Sequence, residues 1–207
     1  LSSYKVNLIN VRSLVNKLQN FQTYIYTSTP DIIGVTETWL NDSILNNEIL
    51  PYDYSIFRKD RNSRGGGALL AIHISIPTKI IPSPPNLEII VVELIHVKCI
   101  VCCVYSPPTV SLTTFTDTLS FLSNLASDHN VLIIGDFNLP DLNWSTLSGS
   151  SVMSNLFCDF VFDYNLSQLV SVPTHIKGNC LDLVLSNLPE TVDSVNSSPN
   201  PLLLTDH

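Results

Sequence analysis

The strongest constraint on the fold is a set of short apolar runs that do not alternate. Segments 6–10, 31–38, 54–58, 68–74, 87–95, 99–105, 131–136 and 181–186 are rich in Ile and Val and bounded by Gly, Pro, Asn or Ser, which is the pattern of strands. A continuous rather than alternating run implies a strand covered on both faces. Helical spacing supplies material for those covers. Leu14, Leu18, Phe21 and Ile25 fall on one face, as do Phe115, Leu119, Leu122 and Ala126, and Val152, Leu156, Phe157 and Phe160. Residues 54–105 read as consecutive strands, with the helical stripes flanking them. That order argues against a βαβ repeat and for two packed sheets with helices outside. Ser83, Pro84, Pro85 and Asn86 make a turn between strands, and 193–201, rich in Ser, Asn and Pro, reads as a surface loop.

Composition limits the function classes. Hydrophobic residues are 44% and charged residues 14% of the 207, ample for a core and too apolar for disorder. The formal charge is -8, from 18 acidic and 10 basic side chains. Tight non-specific nucleic-acid binders are usually basic, because phosphate contacts supply most of their affinity. An acidic nuclease remains open, since metal-dependent sites concentrate carboxylates. Of the five cysteines, Cys99, Cys102 and Cys103 lie in one apolar run. Cys99-x-x-Cys102 lacks a second Cys/His pair of matching spacing, so buried packing is expected and zinc is not. Reduced thiols and the lack of a signal-peptide pattern lead to the expectation of an intracellular protein. The most apolar stretch, 88–105, is broken by Glu93, His96 and Lys98, unlike a membrane span of about 20 apolar residues.

Polar groups recur where these strands end. Gly135-Asp136-Phe137-Asn138 follows an apolar strand, so Asp136 can orient a water and Asn138 can donate to a phosphate oxygen; an ordinary turn would use the same residues. Glu37, in Thr36-Glu37-Thr38-Trp39, ends a strand with no basic neighbour in sequence. A buried carboxylate there needs a partner such as a metal ion, whereas an exposed strand end would not. Thr205-Asp206-His207 offers a carboxylate and an imidazole, or simply a polar tail. Asn10 ends the first strand, Tyr105 ends another before Ser106-Pro107-Pro108, and Asp182 is embedded in Leu181-Asp182-Leu183-Val184-Leu185. Each signal alone is modest. Their order carries the argument: Asn, Glu, Tyr, Asp-x-Asn, Asp, Asp-His.

That order resembles the endonuclease/exonuclease/phosphatase (deoxyribonuclease I-like) superfamily, over nearly the whole chain. Within it the chain is most similar to the apurinic/apyrimidinic-like endonuclease domain of non-LTR (LINE-type) retrotransposons. The residues carrying this are 10–14 (Asn-Val-Arg-Ser-Leu), 36–40 (Thr-Glu-Thr-Trp-Leu), 64–67 (Arg-Gly-Gly-Gly), 104–108 (Val-Tyr-Ser-Pro-Pro), 135–138 (Gly-Asp-Phe-Asn), 173–175 (Pro-Thr-His), 181–185 (Leu-Asp-Leu-Val-Leu) and 205–207 (Thr-Asp-His). The glycine string and Leu-Asp-Leu-Val-Leu point to the retrotransposon branch.

The resemblance implies an α+β fold: a four-layer α/β/β/α sandwich of two mainly antiparallel sheets, formed by residues 1–207 as one domain. It implies Mg²⁺ or Mn²⁺ bound by Glu37, with Asn10 and Asp206 close by. It makes Asp136 the residue that positions or deprotonates the attacking water, Asn138 and Tyr105 phosphate contacts, His207 the imidazole on the scissile phosphate and Asp182 its orienting carboxylate. The implied reaction is hydrolysis of double-stranded DNA to a 3′-hydroxyl and a 5′-phosphate, acting in the nucleus beside a reverse transcriptase in a longer polyprotein. The cluster at 58–64 holds four of the ten basic residues. Arg58, Lys59, Arg61 and Arg64, with Thr174, are therefore the expected DNA contacts, although a solvated hairpin would look alike. Gly65, Gly66 and Gly67 permit a close backbone approach or a turn.

Arg12 stands where many relatives carry Asp or Asn, and Pro108 where an Asn is frequent. Relatives continue into another core strand beyond His207, so a truncated domain lacking its last core strand is expected. Two other readings share the fold: another phosphatase or phosphodiesterase of the superfamily, acting on lipid or RNA, and a catalytically inactive retrotransposon-derived fragment.

Overall fold

The computed structural model describes residues 3–50, 52–61 and 64–198. In chain order the elements are β1 (Val6–Asn10), α1 (Leu18–Ser28), β2 (Ile32–Thr36), α2 (Asn46–Ile49), β3 (Tyr54–Lys59), β4 (Ala68–His73), β5 (Thr78–Ile81), β6 (Ile89–Leu94), β7 (Cys99–Tyr105), α3 (Leu112–Asp128), β8 (Asn130–Asp136), α4 (Val152–Asp163), β9 (Ser167–Gln168) and β10 (Asp182–Ser186). A 3₁₀ turn comes last, at Pro189–Thr191. One sheet runs β1-β2-β4-β3 and the other β5-β6-β7-β8-β10-β9. The β1–β2 and β7–β8 pairs are parallel, and the other pairs are antiparallel.

Successive side chains on a strand point to opposite faces, and here both faces are covered. On the outer face of the first sheet, Ile9, Ile33, Val35, Leu69 and Ala71 pack with Phe21 and Ile25 of α1 and Ile49 of α2. Between the sheets lie Ile32, Leu70, Ile72, Val92, Val101, Cys103 and Ile134. On the outer face of the second sheet, Val91, Cys102, Val104, Ile133 and Leu183 meet Phe115 and Leu122 of α3 and Phe157 and Phe160 of α4. This is the expected α/β/β/α sandwich. Double coverage explains why the strands read as continuous apolar runs.

The sheets approach closely at Gly34 of β2, where an added Cβ would sit 2.5 Å from Ile134 Cδ1. Burial raises the Cys103 thiol to about 12, so it is a packed, protonated group at neutral pH. Ser111 caps α3 and Ser151 caps α4, each accepting from the backbone N–H three residues on. Leu14 is buried just ahead of α1 rather than within it. Val152 departs from the expected core stripe of α4: it is 63% exposed on the first turn, while Phe157 and Phe160 hold the core side.

Candidate active site

Strand register brings the polar strand ends to one edge of the sandwich. In the first sheet Asn10 pairs with Thr36, Thr36 with Ala68, and Ala68 with Lys59. In the second, Tyr105 pairs with Asp136 and Asp136 with Asp182, while the Tyr105 N–H donates to the Glu88 carbonyl. The period of two then fixes direction. Val6 and Leu8 face the inter-sheet core, so Asn10 does too; the same parity turns Tyr105 inward after Val101 and Cys103, Asp136 after Leu132 and Ile134, and Asp182 ahead of Val184. Asn10, Tyr105 and Asp136 each sit at the last inward position of their strand and Asp182 at the first of its own, where the apolar filling stops.

The two sheets meet there through Asn10. Its Nδ2 donates to Glu37 Oε1 at 3.1 Å and to Asp136 Oδ2 at 2.9 Å. Its Oδ1 accepts from the Arg12 N–H at 3.2 Å, which fixes the amide's orientation. Asn10 and Asp136 are buried, and Glu37 is half-buried. Glu37 holds a left-handed backbone (φ 55°) directly after β2, costly for a non-glycine residue and characteristic of functional sites. The Thr38 and Trp39 N–H groups donate to the Gly67 and Gly66 carbonyls at 3.3 and 3.0 Å, so the glycine hairpin braces the chain just past Glu37.

Asp136 also shapes the turn after β8. Its Oδ1 accepts from the Asn138 N–H at 3.1 Å, its carbonyl accepts from the Ser106 N–H at 2.8 Å, and Asn138 Nδ2 donates to the Ser106 carbonyl at 2.9 Å. Asn138, at φ 50°, is thereby locked against the segment following Tyr105. Burial raises the Tyr105 phenol strongly, and Glu37, Asp136 and Glu88 raise it further against the opposing Arg61. Tyr105 is therefore a neutral hydroxyl donor at physiological pH. Of the three carboxylates near it, Glu88 is paired with Arg61, which leaves Glu37 and Asp136 as the negative charge facing the phenol.

Asp182 is held from the side. Thr174 Oγ1 accepts from the Leu181 and Asp182 N–H groups, both at 3.0 Å, which ties the loop carrying His175 to the start of β10. Asp206 and His207 lie outside the described residues, so the structure says nothing of their positions. Among the described residues, no group of three or more His, Cys, Asp and Glu side chains gathers as a metal site. Of the three residues expected around the ion, Glu37 and Asn10 are in contact. The Glu37 carboxylate is a hard oxygen donor of the kind Mg²⁺ takes, whereas Asn10 turns its amide nitrogen to both carboxylates and its oxygen to the Arg12 N–H, so its oxygen would have to swing round to join the ion.

A family model described as "Endonuclease-reverse transcriptase" matches residues 99–207. The chain belongs to the endonuclease-reverse transcriptase family. Solved structures share its fold across most of its length. The endonuclease domain of TRAS1, a telomere-specific non-LTR retrotransposon, superposes with a TM-score of 0.66 at 11% identity, covering 89% of this chain and 84% of that one. The apurinic/apyrimidinic endonuclease LMAP from Leishmania major gives 0.71 at 16% identity, covering 99% and 85%. The 3′-5′ exonuclease NExo from Neisseria meningitidis gives 0.65 at 16% identity, covering 90% and 88%. No curated protein sequence matches the chain. The endonuclease/exonuclease/phosphatase resemblance thus holds in family and in fold.

In this endonuclease-reverse transcriptase family chain the basic cluster is not one free patch. Arg58 donates to the Ile44 carbonyl at 2.6 Å and the Asn41 carbonyl at 2.9 Å and pairs with Asp60, so its guanidinium braces the 41–44 loop. Lys59 Nζ reaches the Pro84 carbonyl at 2.9 Å, and burial lowers its pKa. Arg61 pairs with Glu88. Arg64 is exposed, its guanidinium 5.6 Å from the centre of the Trp39 ring. Sequence reasoning missed Glu88 and Asp141. An acid opening an apolar strand opposite an arginine-rich hairpin was the available signal for the first. The Ser150-Ser151 pair ahead of α4 was the signal for the second.

Proposed function

We propose that this chain is one catalytic domain that nicks double-stranded DNA by divalent-metal-dependent hydrolysis, leaving a 3′-hydroxyl. The observation that carries the reading is the Asn10 amide bridging Glu37 of one sheet and Asp136 of the other. A superfamily nuclease needs a carboxylate for a cation beside a carboxylate for water, and this bridge sets the two side by side.

In this reading Glu37, with Asn10 and Asp206, would hold Mg²⁺ or Mn²⁺. When bound, the cation supplies charge neutralisation at the phosphate and the leaving oxygen. Asp136 orients the attacking water and accepts its proton. The Asn138 amide, the Tyr105 hydroxyl and His207 donate to the charge that develops on phosphate oxygens, preorganised by the contacts that fix Asn138 and by the phenol's retained proton. Asp182 orients the His207 ring and fixes its tautomer. Arg64 and Thr174 lie on segments that border this edge and are the proposed contacts to flanking DNA, whereas Arg58, Lys59 and Arg61 of the expected set are engaged within the protein. The 3′-hydroxyl would prime reverse transcription by an enzyme of the same polyprotein, in the nucleus. Among the described residues, no helix is long and apolar enough to cross a membrane.

The test is relaxation of supercoiled plasmid in Mg²⁺ and in chelator, followed by polymerase extension of the nicked product. The reading expects open-circular product only with metal, extendable without end repair. Relaxation in chelator, or nicks that cannot be extended, would refute it.

A further inference from the structure

Glu88 immediately precedes β6 at the same edge as the candidate site, and its side chain is 17% exposed. A carboxylate so covered must have its oxygens satisfied. Oε1 accepts from Arg61 Nε at 2.9 Å and from Arg61 Nη2, and Oε2 accepts from the Gly67 N–H. The residue therefore belongs to the second sheet by its backbone and grips the β3–β4 hairpin of the first sheet by its side chain. Its carbonyl meanwhile accepts from the Tyr105 N–H at 2.9 Å.

Both gripped groups lead to the site. The Arg61 guanidinium lies 5.9 Å from the centre of the Tyr105 ring, within cation–π range. Gly67 passes the grip onward, since its carbonyl accepts from Thr38, next to Glu37. The glycine string is a consequence of this crossing. A Cβ on Gly66 would lie 2.5 Å from Arg61 Cζ and 2.7 Å from Glu88 Oε2, and Gly67 holds φ 88° with Thr38 Oγ1 2.5 Å from where a Cβ would be. Arg61 is thus built into a bridge rather than left as a mobile phosphate contact.

We propose that Glu88 is a positioning residue, holding Arg61 over Tyr105 and the glycine hairpin against the segment that carries Glu37. The proposal rests on the nuclease reading for its effect on rate, but its geometric half stands apart from activity. Glu88→Gln keeps size and removes the charge that both Arg61 and Gly67 need. A phosphate-contacting Arg61 would act chiefly on KM and its salt dependence. A positioning Glu88 acts on kcat, because the groups that meet the transition state are displaced.

The experiment pairs plasmid-nicking kinetics with NMR of protein carrying ¹⁵N-arginine, reading the nuclear Overhauser effect between Arg61 Nε–H and the Tyr105 ring. For Glu88→Gln the expected result is loss of that signal, KM within about twofold of the parent, and kcat lower by roughly 10- to 100-fold, the range for groups that orient a site's ligands. Glu88→Asp, which keeps the charge and Arg61 itself but draws the carboxylate back from Arg61 and Gly67, should behave alike and serves if Glu88→Gln does not fold. Retention of the signal in the variants overturns the proposal. So does its loss with kcat unchanged, or an effect confined to KM. If the parent never nicks, the nuclease reading fails, and the NMR result alone then decides whether Glu88 holds Arg61 over Tyr105.

Discussion

The Asn10 amide nitrogen lies 2.9 Å from an Asp136 carboxylate oxygen, although 126 positions separate the two residues in the chain. The contact joins the end of β1 in one sheet to the end of β8 in the other, and the same nitrogen also serves Glu37. Asn10→Asp should therefore replace the shared donor with a third negative charge. The expected cost is about 1–3 kcal/mol, that of leaving buried acceptors without their donor. Millimolar Mg²⁺ should recover part of the loss. Thermal melts with and without Mg²⁺ check both, and a variant as stable as the parent in chelator would contradict the role given to Asn10.

Gly135 sits where β7 and β8 run side by side, and an added Cβ would fall inside the van der Waals radius of the Val104 carbonyl. Backbone cannot move aside as a side-chain tip can. Gly135→Ala should cost more than about 4 kcal/mol, in the range reserved for severe lesions. Urea denaturation, or failure to recover folded protein, reads this out. A near-normal midpoint would contradict the geometry.

Asp141 accepts from Ser150 N at 2.9 Å, Ser151 N at 2.6 Å and Ser154 Oγ at 2.6 Å, buttressing the start of α4. Burial pushes its carboxyl up, but the hydrogen bonds from Ser154, Ser151 and Ser150 outweigh that and hold it well below the usual range. A depressed folded pKa contributes stability that is complete above the unfolded value, about 3.9, and is lost as pH falls towards the folded one. Asp141→Asn should lower stability by about 1–3 kcal/mol at neutral pH. It should also flatten the fall of the melting temperature below about pH 4. Parallel curves for parent and variant would contradict this.

The arginines should separate by role. Arg58 has a side chain 12% exposed and its donors engaged. Arg58→Ala should cost about 1–3 kcal/mol of stability and leave the salt dependence of DNA binding unchanged. Arg64→Ala should leave stability unchanged and reduce the salt slope of DNA affinity by about one. Binding titrations across a salt series, beside urea melts, distinguish them.

The sandwich was legible because doubly covered strands cannot hide: β1 and β7 are bounded in the structure where their apolar runs begin and end. The missed elements lack that signature. β5 is an edge strand with exposed Lys79 and Ile80, β9 has two residues, and α2 is a single turn opened by Asn46 and Asn47. The strand-end polar residues were legible for the same reason, since Asn10, Tyr105 and Asp136 each close an apolar run. Glu88 and Asp141 were not, because their meaning lies in partners on other segments: Arg61 is 27 positions from Glu88, and Ser154 is 13 from Asp141. Nor could sequence divide the basic cluster. Only the folded loops show that Arg58 faces carbonyls while Arg64 faces solvent.

The most direct test of the central claim is a double-mutant cycle on nicking rate with Glu37→Gln and Asp136→Asn. If one site uses both carboxylates, each single change should remove nearly all activity, and the double variant should be about as slow as the slower single. Multiplicative losses, or a single variant close to the parent's rate, would contradict a shared site built across the two sheets.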